Sequence, residues 1–214
     1  MGGVHENGRL LQAGAALGEA KGAVILLHGR GGSADDMLGL ARALGSDELE
    51  GVAWLAPEAS GRTWYPMSFL APREFNEPAL SSALERVGEA VQMALDAGVP
   101  AGKLVIGGFS QGACLATEFV ARHPRRYGAL LAFTGGLIGE ALDASYPGDL
   151  GAMPAMFFSG DPDPHVPWTR VEASARVLQG MGAEVGARRY AGRPHTVTPE
   201  EVQIAAELLH AVLH

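Results

Sequence analysis

The chain alternates short, continuous apolar runs with segments whose apolar residues recur every three or four positions. Runs of this length are typical of strands buried on both faces, and the periodic segments are typical of amphipathic helices. Because strands separated by helices pair in parallel, the alternation predicts an α/β fold with a mostly parallel, doubly wound sheet and helices on both faces. No linker or internal repeat interrupts the pattern, so residues 1–214 are interpreted as a single domain without a large lid domain.

The same pattern gives bounds for the individual elements. Strands are predicted at residues 23–29, 51–57, 103–110, 129–136, 154–161 and 184–192. Helices are predicted at residues 34–44, 79–97, 111–123 and 168–180, and again from Pro199 onward. Thr198 and Glu201 form a capping-box pattern at the start of that last helix. The Glu-Asn-Gly at residues 6–8 predicts a hairpin turn that joins two short edge strands.

Composition restricts the class of partner. Of the 214 residues, 47% are hydrophobic, and the formal net charge is −8 at pH 7. An acidic surface repels phosphate backbones, so nucleic acid is not an expected partner. The apolar runs are far shorter than the ~20 residues that span a bilayer, and the first ten residues lack the pattern of a secretory signal. The single cysteine, Cys114, excludes an intrachain disulfide. A cytoplasmic protein with no membrane span is expected.

Residues 108–112, Gly-Phe-Ser-Gln-Gly, carry the strongest chemical signal, because they lie between a predicted strand and a predicted helix. In that context G-x-S-x-G is the pattern of a nucleophile elbow, a tight strand-to-helix turn that projects the serine hydroxyl from the sheet. Such a turn strains the serine backbone by about 1–3 kcal/mol. It also brings the residues two before and two after the serine close together, where side chains would clash. Ser110 is therefore the candidate nucleophile.

A serine hydroxyl needs a general base and a group that orients that base. In this class of fold both are expected after the serine, first the acid and then the histidine, at the carboxyl ends of later strands. The predicted strand 154–161 ends at Asp161, which Asp163 follows closely, and the strand 184–192 is followed by His195. Spacing alone does not choose between the two aspartates.

The remaining histidines are weaker candidates for the base. His28 precedes the serine, and His165 adjoins the candidate acids too closely to fold back onto them. His210 and His214 are one helical turn apart on the polar face of the last predicted helix. That spacing suits a metal ion, but a solvated helix face is the interpretation we favour, and no metal site is expected.

The glycine cluster after the first predicted strand has two interpretations. Residues 29–34 match the dinucleotide fingerprint G-x-G-x-x-G/A, whereas His-Gly-x-Gly-Gly after a strand is where some hydrolases place an oxyanion hole. A dinucleotide site needs an acidic residue at the end of the next strand, and here Glu58 comes only after a proline. We favour the oxyanion hole, with the backbone N–H groups of Arg30 and Gln111 as its donors.

The chain resembles the carboxylesterase/phospholipase group of α/β-hydrolases, which includes acyl-protein thioesterases and small bacterial esterases. The resemblance extends from about residue 22 to the end. It is carried by LLHGRGGS at residues 26–33, GGFSQGA at 107–113, SGDPDPHVP at 159–167 and YAGRPH at 190–195.

The resemblance implies an α/β-hydrolase fold in which Ser110 is the nucleophile, Asp163 the acid and His195 the base. The family pattern G-D-x-D-x-x-V-P places the working acid at its second aspartate, which leaves Asp161 to brace the loop by accepting backbone hydrogen bonds. The resemblance also implies hydrolysis of carboxylic esters or thioesters, no cofactor, and frequent homodimers.

Two departures from eukaryotic thioesterases of this group favour a small-molecule ester substrate over lipidated proteins. Arg30 stands where those thioesterases have an apolar residue, and the loop at residues 60–78 is unlike theirs. This loop is rich in aromatic residues and has no clear period, and long irregular loops are uncommon as mere connections. It either packs on the surface through its own side chains or forms the wall of an apolar pocket.

On the second interpretation of the loop, four aromatic side chains are expected to line an acyl pocket, namely Trp64, Tyr65, Phe69 and Trp168. Cys114, one helical turn beyond Ser110, is interpreted as a small buried core residue. Two other functions remain open. The same residues could hydrolyse C–C bonds or transfer acyl groups, or the fold could bind a ligand without catalysis.

Overall fold

The computed structural model describes residues 3–142 and 146–214. The strands of this part of the chain are β1 (Leu10–Gly14), β2 (Gly22–Leu27), β3 (Val52–Pro57), β4 (Leu104–Phe109), β5 (Ala129–Phe133), β6 (Pro154–Asp161) and β7 (Glu184–Ala191). Its α-helices are α1 (Ala34–Ala43), α2 (Ala79–Asp96), α3 (Gln111–Arg122), α4 (Trp168–Gly180) and α5 (Pro199–Leu213). Every strand and helix given bounds from the sequence is present, with its ends shifted by a few residues.

The strands form one sheet in the order β1-β3-β2-β4-β5-β6-β7. Strand β1 runs antiparallel to β3, and every other neighbouring pair is parallel. This confirms the predicted mostly parallel sheet. Because β4, β6 and β7 run in the same direction, the loops that follow them meet at one edge of the sheet.

Helices cover both faces of the sheet, as predicted. Alternate residues of β2 show the division, since Ile25 and Leu27 pack towards α2, α3 and α4, whereas Val24 and Leu26 pack towards α1 and α5. Helix α3 is buried from Gln111 to Ala121. A helix that is buried all round is fixed by its neighbours on every side, so its first residue has a well-defined position.

Two of the predicted elements need correction. Strand β5 ends at Phe133 rather than at residue 136, because Thr134 adopts a positive φ of 57° and turns the chain out of the strand. The hairpin predicted around residues 6–8 is wrong. Residues 4–7 form a turn, and the single strand that follows pairs with β3, from Leu10 opposite Pro57 to Gly14 opposite Ala53.

Buried histidines near the start of the chain hold the beginning of the loop at residues 60–78. His5 donates from Nε2 to the carbonyl of Trp64 at 2.8 Å and accepts at Nδ1 from the N–H of Ser60 at 3.1 Å. His28 accepts at Nε2 from the N–H of Ala59 at 3.0 Å, and its ring stacks on Trp64 with centroids 4.9 Å apart. A ring nitrogen that accepts from an N–H must lack a proton, so both rings are neutral.

Because both histidines are neutral in the folded protein, we expect acid to lower the free energy of unfolding. Burial lowers the pKa of His5 and of His28 below the ordinary value. The unfolded chain, whose histidines titrate near pH ~6.5, therefore binds more protons than the folded chain as the pH falls below that value. The stability that depends on the neutral rings is complete above that pH and is lost below it, as the pH falls towards the lowered values.

Urea unfolding at pH 7 and pH 5 measures this loss. We expect the free energy of unfolding to fall between the two pH values, and to fall less in His5→Asn than in the wild-type protein. His210→Asn, at an exposed position of α5, serves as the matched control and should keep the wild-type pH dependence. Equal losses in wild type and His5→Asn would contradict the prediction.

Candidate active site

Ser110 occupies a strained turn between β4 and α3. Its backbone lies at φ 54° and ψ −117°, a conformation that residues with a side chain rarely adopt. The turn is held from two sides, since the N–H of Ser110 donates to the carbonyl of Phe133 at 2.9 Å and its carbonyl accepts from the N–H of Cys114 at 3.0 Å. Strand β5 and helix α3 thus stabilise a conformation that would not persist in an isolated peptide.

The glycines on either side of Ser110 are required by the close approach of β2. A Cβ atom added to Gly108 would lie 2.6 Å from the carbonyl oxygen of Leu27, and one added to Gly112 would lie 2.0 Å from that oxygen. The clash expected from the sequence is therefore present in the structure. The clash would occur with the backbone of Leu27 on β2, and also between residues 108 and 112 across the turn.

The structure brings Ser110, His195 and Asp163 together in one hydrogen-bonded row. The Oγ of Ser110 lies 2.9 Å from Nε2 of His195, and Nδ1 of His195 lies 2.9 Å from Oδ2 of Asp163. Asp163 follows β6 and His195 follows β7, so residues distant in sequence meet where neighbouring strands end. The side chain of Asp163 is fully buried, and that of His195 is 19% exposed.

The second oxygen of Asp163 is held by its own loop. Oδ1 accepts from the N–H groups of His165 and Val166, each at 2.9 Å. Burial disfavours the ionised carboxyl, but these N–H groups and the ring of His195 outweigh burial, so the pKa of Asp163 lies below its ordinary value. An ionised carboxylate can only accept, which places the proton of His195 on Nδ1 and leaves Nε2 to accept from the serine hydroxyl.

Asp161, the other candidate acid, points elsewhere. Its carboxylate forms an ion pair with Arg189 on β7, and its backbone carbonyl accepts from the N–H of Gly192 at 3.0 Å. The expectation that its carboxylate braces the loop through backbone N–H groups is therefore wrong. Arg189 lies opposite Ser159, two residues before Asp161, so its guanidinium is close enough to pair with the Asp161 carboxylate.

The loop that carries His195 is fixed by a buried arginine that the sequence reasoning missed. Arg193 donates from Nη2 to the hydroxyl of Thr134 at 2.7 Å and lies 3.3 Å from the carboxylate of Glu201. These contacts tie the loop to the end of β5 and to the first turn of α5. Glu201 was interpreted only as a helix cap, a role that its bonds with Thr198 confirm.

The two residues expected to form an oxyanion hole have unengaged N–H groups. Within residues 3–142 and 146–214, neither the N–H of Arg30 nor that of Gln111 donates a hydrogen bond. The next N–H groups of the glycine cluster are engaged, since Gly31 donates to the carbonyl of Arg62 at 2.7 Å and Gly32 donates to that of Gly29 at 3.0 Å. Arg30 is thus a residue of this loop that lines the same cavity as Ser110 and whose N–H has no partner among the described residues.

A cavity of about 540 Å³ opens beside Ser110 and His195. Arg30 and Gln111 line it, and its apolar wall includes Tyr65, Met67, Phe69, Phe109 and Val166. Three of these wall residues come from the loop at residues 60–78. Of the two interpretations of this loop, the structure therefore agrees with the pocket wall.

Two aromatic residues expected in the wall are not part of it. Trp64 is fully buried behind the wall, where its indole N–H donates to the carbonyl of His28 at 2.9 Å. Trp168 begins α4 and lies beside β7, with the guanidinium of Arg189 5.9 Å from its ring centroid. Trp64 satisfies its indole N–H in the core, and Trp168 turns towards the sheet edge.

Two further residues of the cavity have properties that bear on its chemistry. Burial raises the pKa of the Cys114 thiol to about 12, so it stays protonated and is a poor nucleophile. Cys114 is 1% exposed, which confirms its interpretation as a small buried residue. His165 is exposed at the rim, with its ring edge-on to that of His195 at a centroid distance of 4.9 Å.

The described part of the chain contains neither a candidate metal site nor a candidate membrane span. No group of three or more His, Cys, Asp or Glu side chains in that part of the chain could hold a metal ion. The rings of His210 and His214 stack on one another at 5.4 Å. None of the helices formed by residues 3–142 and 146–214 has the length and apolar character needed to cross a membrane.

The parallel sheet and the strained serine between a strand and a helix define the α/β-hydrolase class. Within that class, residues 14–213 match the family model described as phospholipase/carboxylesterase. The chain belongs to this family, as the sequence motifs had indicated.

Known proteins resemble the chain in sequence and in structure. The crystal structure of a phospholipase/carboxylesterase from Dyadobacter fermentans is similar with a TM-score of 0.91 and 43% identity, over 95% of this chain and 97% of that one. A probable carboxylesterase of Oryza sativa is 26% identical over 85% of this chain and 84% of its own length. Acyl-protein thioesterase 1 of Gibberella zeae is 32% identical, but the match spans only 52% of this chain and 49% of the thioesterase.

The geometry of the turn predicts that Gly112→Ala disrupts the protein. The new methyl group would meet the backbone of Leu27, which cannot rotate away, so the loss of stability should exceed the ~1–3 kcal/mol of ordinary overpacking. Urea unfolding measures the change. Gly39→Ala is the matched control, because Gly39 lies within α1 with no atom within 4 Å of an added Cβ. That control should gain about 0.5–1 kcal/mol. A Gly112→Ala protein as stable as wild type would contradict the prediction.

Proposed function

We propose that the protein is a serine hydrolase that cleaves carboxylic ester bonds of small substrates, with short- to medium-chain acyl groups, through an acyl-enzyme. The observation that supports this most directly is the hydrogen-bonded row of Ser110, His195 and Asp163 at the mouth of an apolar cavity. Membership of a family named for phospholipases and carboxylesterases supports the same class of bond.

In the first step, His195 takes the proton of the Ser110 hydroxyl at Nε2 while Oγ attacks the acyl carbonyl carbon. The carboxylate of Asp163 holds the imidazole in the required tautomer and stabilises the imidazolium that forms. The N–H groups of Arg30 and Gln111 receive the negative charge on the carbonyl oxygen. Each such donor typically contributes about 2.7–4 kcal/mol to stabilisation of the transition state.

In the second step, the tetrahedral intermediate collapses and His195 gives its proton to the departing alcohol oxygen. The acyl group now forms an ester with Ser110. Water enters beside His195, which removes a proton from it as the water oxygen attacks the acyl carbon. Collapse of the second intermediate releases the carboxylic acid and returns the proton to Ser110.

The cavity supports a small substrate. Its volume of about 540 Å³ lies within the range of about 300–1,000 Å³ of small-molecule sites. Tyr65, Met67 and Phe69 give one wall of it an apolar surface that suits an acyl chain. The opening beside His195 leaves a path for the alcohol to depart and for water to enter.

Thioester hydrolysis is a second candidate, favoured by the match to acyl-protein thioesterase 1 over about half the chain. The same nucleophile and charge stabilisation serve either bond, because both are attacked at an acyl carbon. A parallel assay of an acetyl ester and the corresponding acetyl thioester distinguishes the two, since the preferred bond has the higher kcat/KM.

Hydrolysis of p-nitrophenyl acetate through octanoate tests the proposal. Ser110→Ala and His195→Ala should each lower kcat at least about 1,000-fold, because each removes a group that takes part in bond making. Asp163→Asn should also lower kcat strongly, because its amide can donate to Nδ1 and favour the wrong tautomer. The matched control is Asp161→Asn, which should stay near wild type because Asp161 pairs with Arg189.

Undiminished turnover by Ser110→Ala would overturn the proposal. Equal losses in Asp161→Asn and Asp163→Asn would overturn the choice of acid. Poor turnover of every ester by wild type, together with good turnover of a diketone, would instead support C–C bond hydrolysis.

A further inference from the structure

The side chain of Arg30 is not used in the proposed reaction, which needs only its backbone N–H. The guanidinium reaches across to the loop at residues 60–78 and donates to three successive carbonyls. Nη1 donates to Pro66 at 2.9 Å, and Nη2 donates to Tyr65 at 3.0 Å and to Met67 at 2.8 Å. The two departures from eukaryotic thioesterases, at Arg30 and in this loop, are therefore in direct contact.

Gln111 fastens the same segment from the other side. Its side-chain oxygen accepts from the N–H of Trp64 at 2.9 Å, and its side-chain nitrogen donates to the carbonyl of Tyr65 at 2.8 Å. The two residues proposed as oxyanion donors therefore hold residues 64–67 with their side chains. A movement of residues 64–67 would therefore change both the cavity wall and the placement of Arg30 and Gln111, the proposed oxyanion donors.

Residues 65–67 lie outside every helix and strand of the described chain. Tyr65 is held in addition by burial, and the N–H of Met67 donates to Oδ1 of Asn76 at 2.8 Å. Backbone carbonyls in such a segment need partners other than a helix or sheet ladder. A guanidinium is planar and carries five donors in a fixed arrangement, so one arginine can fix three carbonyls. A lysine carries a similar charge but lacks that planar geometry.

The segment held by Arg30 is also the surface that an acyl chain would meet. Tyr65, Pro66 and Met67 line the cavity that contains Ser110. Met67 is 50% exposed, so packing alone does not hold this part of the wall. An ordered wall recognises an acyl chain better than a mobile one, because the ordering cost is met before the substrate binds.

Resting on the function proposed above, we infer that Arg30 is a specificity-determining positioning residue. Its guanidinium fixes the wall formed by residues 65–67, and the fixed wall sets which acyl chains are accepted. Loss of the guanidinium frees the carbonyls of Pro66 and Met67 and loosens that part of the wall, so substrates that differ in acyl length become harder to tell apart.

The test compares Arg30→Met and Arg30→Lys with wild type on p-nitrophenyl esters from acetate to octanoate. In both variants, the ratio of kcat/KM between the ester that wild type prefers and the one it prefers least should fall about tenfold, equivalent to about 1.4 kcal/mol. The effect in Arg30→Lys shows that the arrangement of donors matters and not the charge. Arg176→Met is the matched control, because the Arg176 side chain is 73% exposed on α4, and it should keep the wild-type ratio.

Hydrogen exchange gives a measure that does not depend on activity. The amide of Met67, which donates to Oδ1 of Asn76 at 2.8 Å, should exchange faster in Arg30→Met than in wild type, whereas amides of β4 should not change. Unchanged exchange at Met67 would overturn the inference.

The activity outcomes separate the inference from the function on which it rests. A wild-type protein that hydrolyses none of the esters contradicts the proposed function. An active wild type with an unchanged acyl-length ratio in Arg30→Met contradicts the inference alone. An equal loss on every ester also overturns the inference, since it places the effect at the reacting carbon and not at the wall.

Discussion

The close packing of the turn at Ser110 against the end of β2 is the constraint on which the rest of the site depends. The carbonyl of Leu27 occupies the space where side chains at residues 108 and 112 would lie. Within this turn Ser110 adopts its positive φ of 54°, and its hydroxyl lies 2.9 Å from Nε2 of His195. The backbone strain of about 1–3 kcal/mol is offset by the burial of α3, whose apolar surface is covered on all sides.

The position of Ser110 determines what the neighbouring loops can do. Helix α3 starts at the next residue, so the N–H of Gln111 has no partner within the helix and is free for the proposed oxyanion contact. The loops after β6 and β7 bring Asp163 and His195 to the hydroxyl. Polar contacts hold both loops, through backbone N–H groups at Asp163 and through the buried pair of Arg193 and Glu201 near His195.

The sequence predicted those parts of the molecule that depend on periodicity or on an ordered motif. Continuous apolar runs identified the parallel strands, because burial on both faces requires them. The G-x-S-x-G motif placed Ser110 because its glycines have no other acceptable residue at that turn. The expected order of serine, acid and histidine at the ends of successive strands then identified His195 as the base. The choice of Asp163 over Asp161 came from the family resemblance.

Side-chain direction could not be predicted from the sequence. Trp64 and Trp168 were both expected in the pocket wall because the segments that carry them are aromatic. Trp64 instead turns into the core, where its indole N–H donates to the carbonyl of His28. Trp168 instead lies against the guanidinium of Arg189 on β7. The Asn-Gly signal near the start of the chain was local, whereas the true partner of β1 is a strand some forty residues away. The contacts of Arg30 and Arg193 join distant segments, which no spacing rule describes.

We propose that Ser110 is made reactive by its row of hydrogen bonds to His195 and Asp163. Treatment with a fluorophosphonate, followed by digestion and peptide mass spectrometry, tests this directly, because the reagent bonds covalently to an activated serine. We expect a single adduct on the peptide that contains Ser110, and no adduct when His195 is replaced by alanine. An unlabelled wild-type protein, or labelling of another serine, would show that Ser110 is not the activated residue.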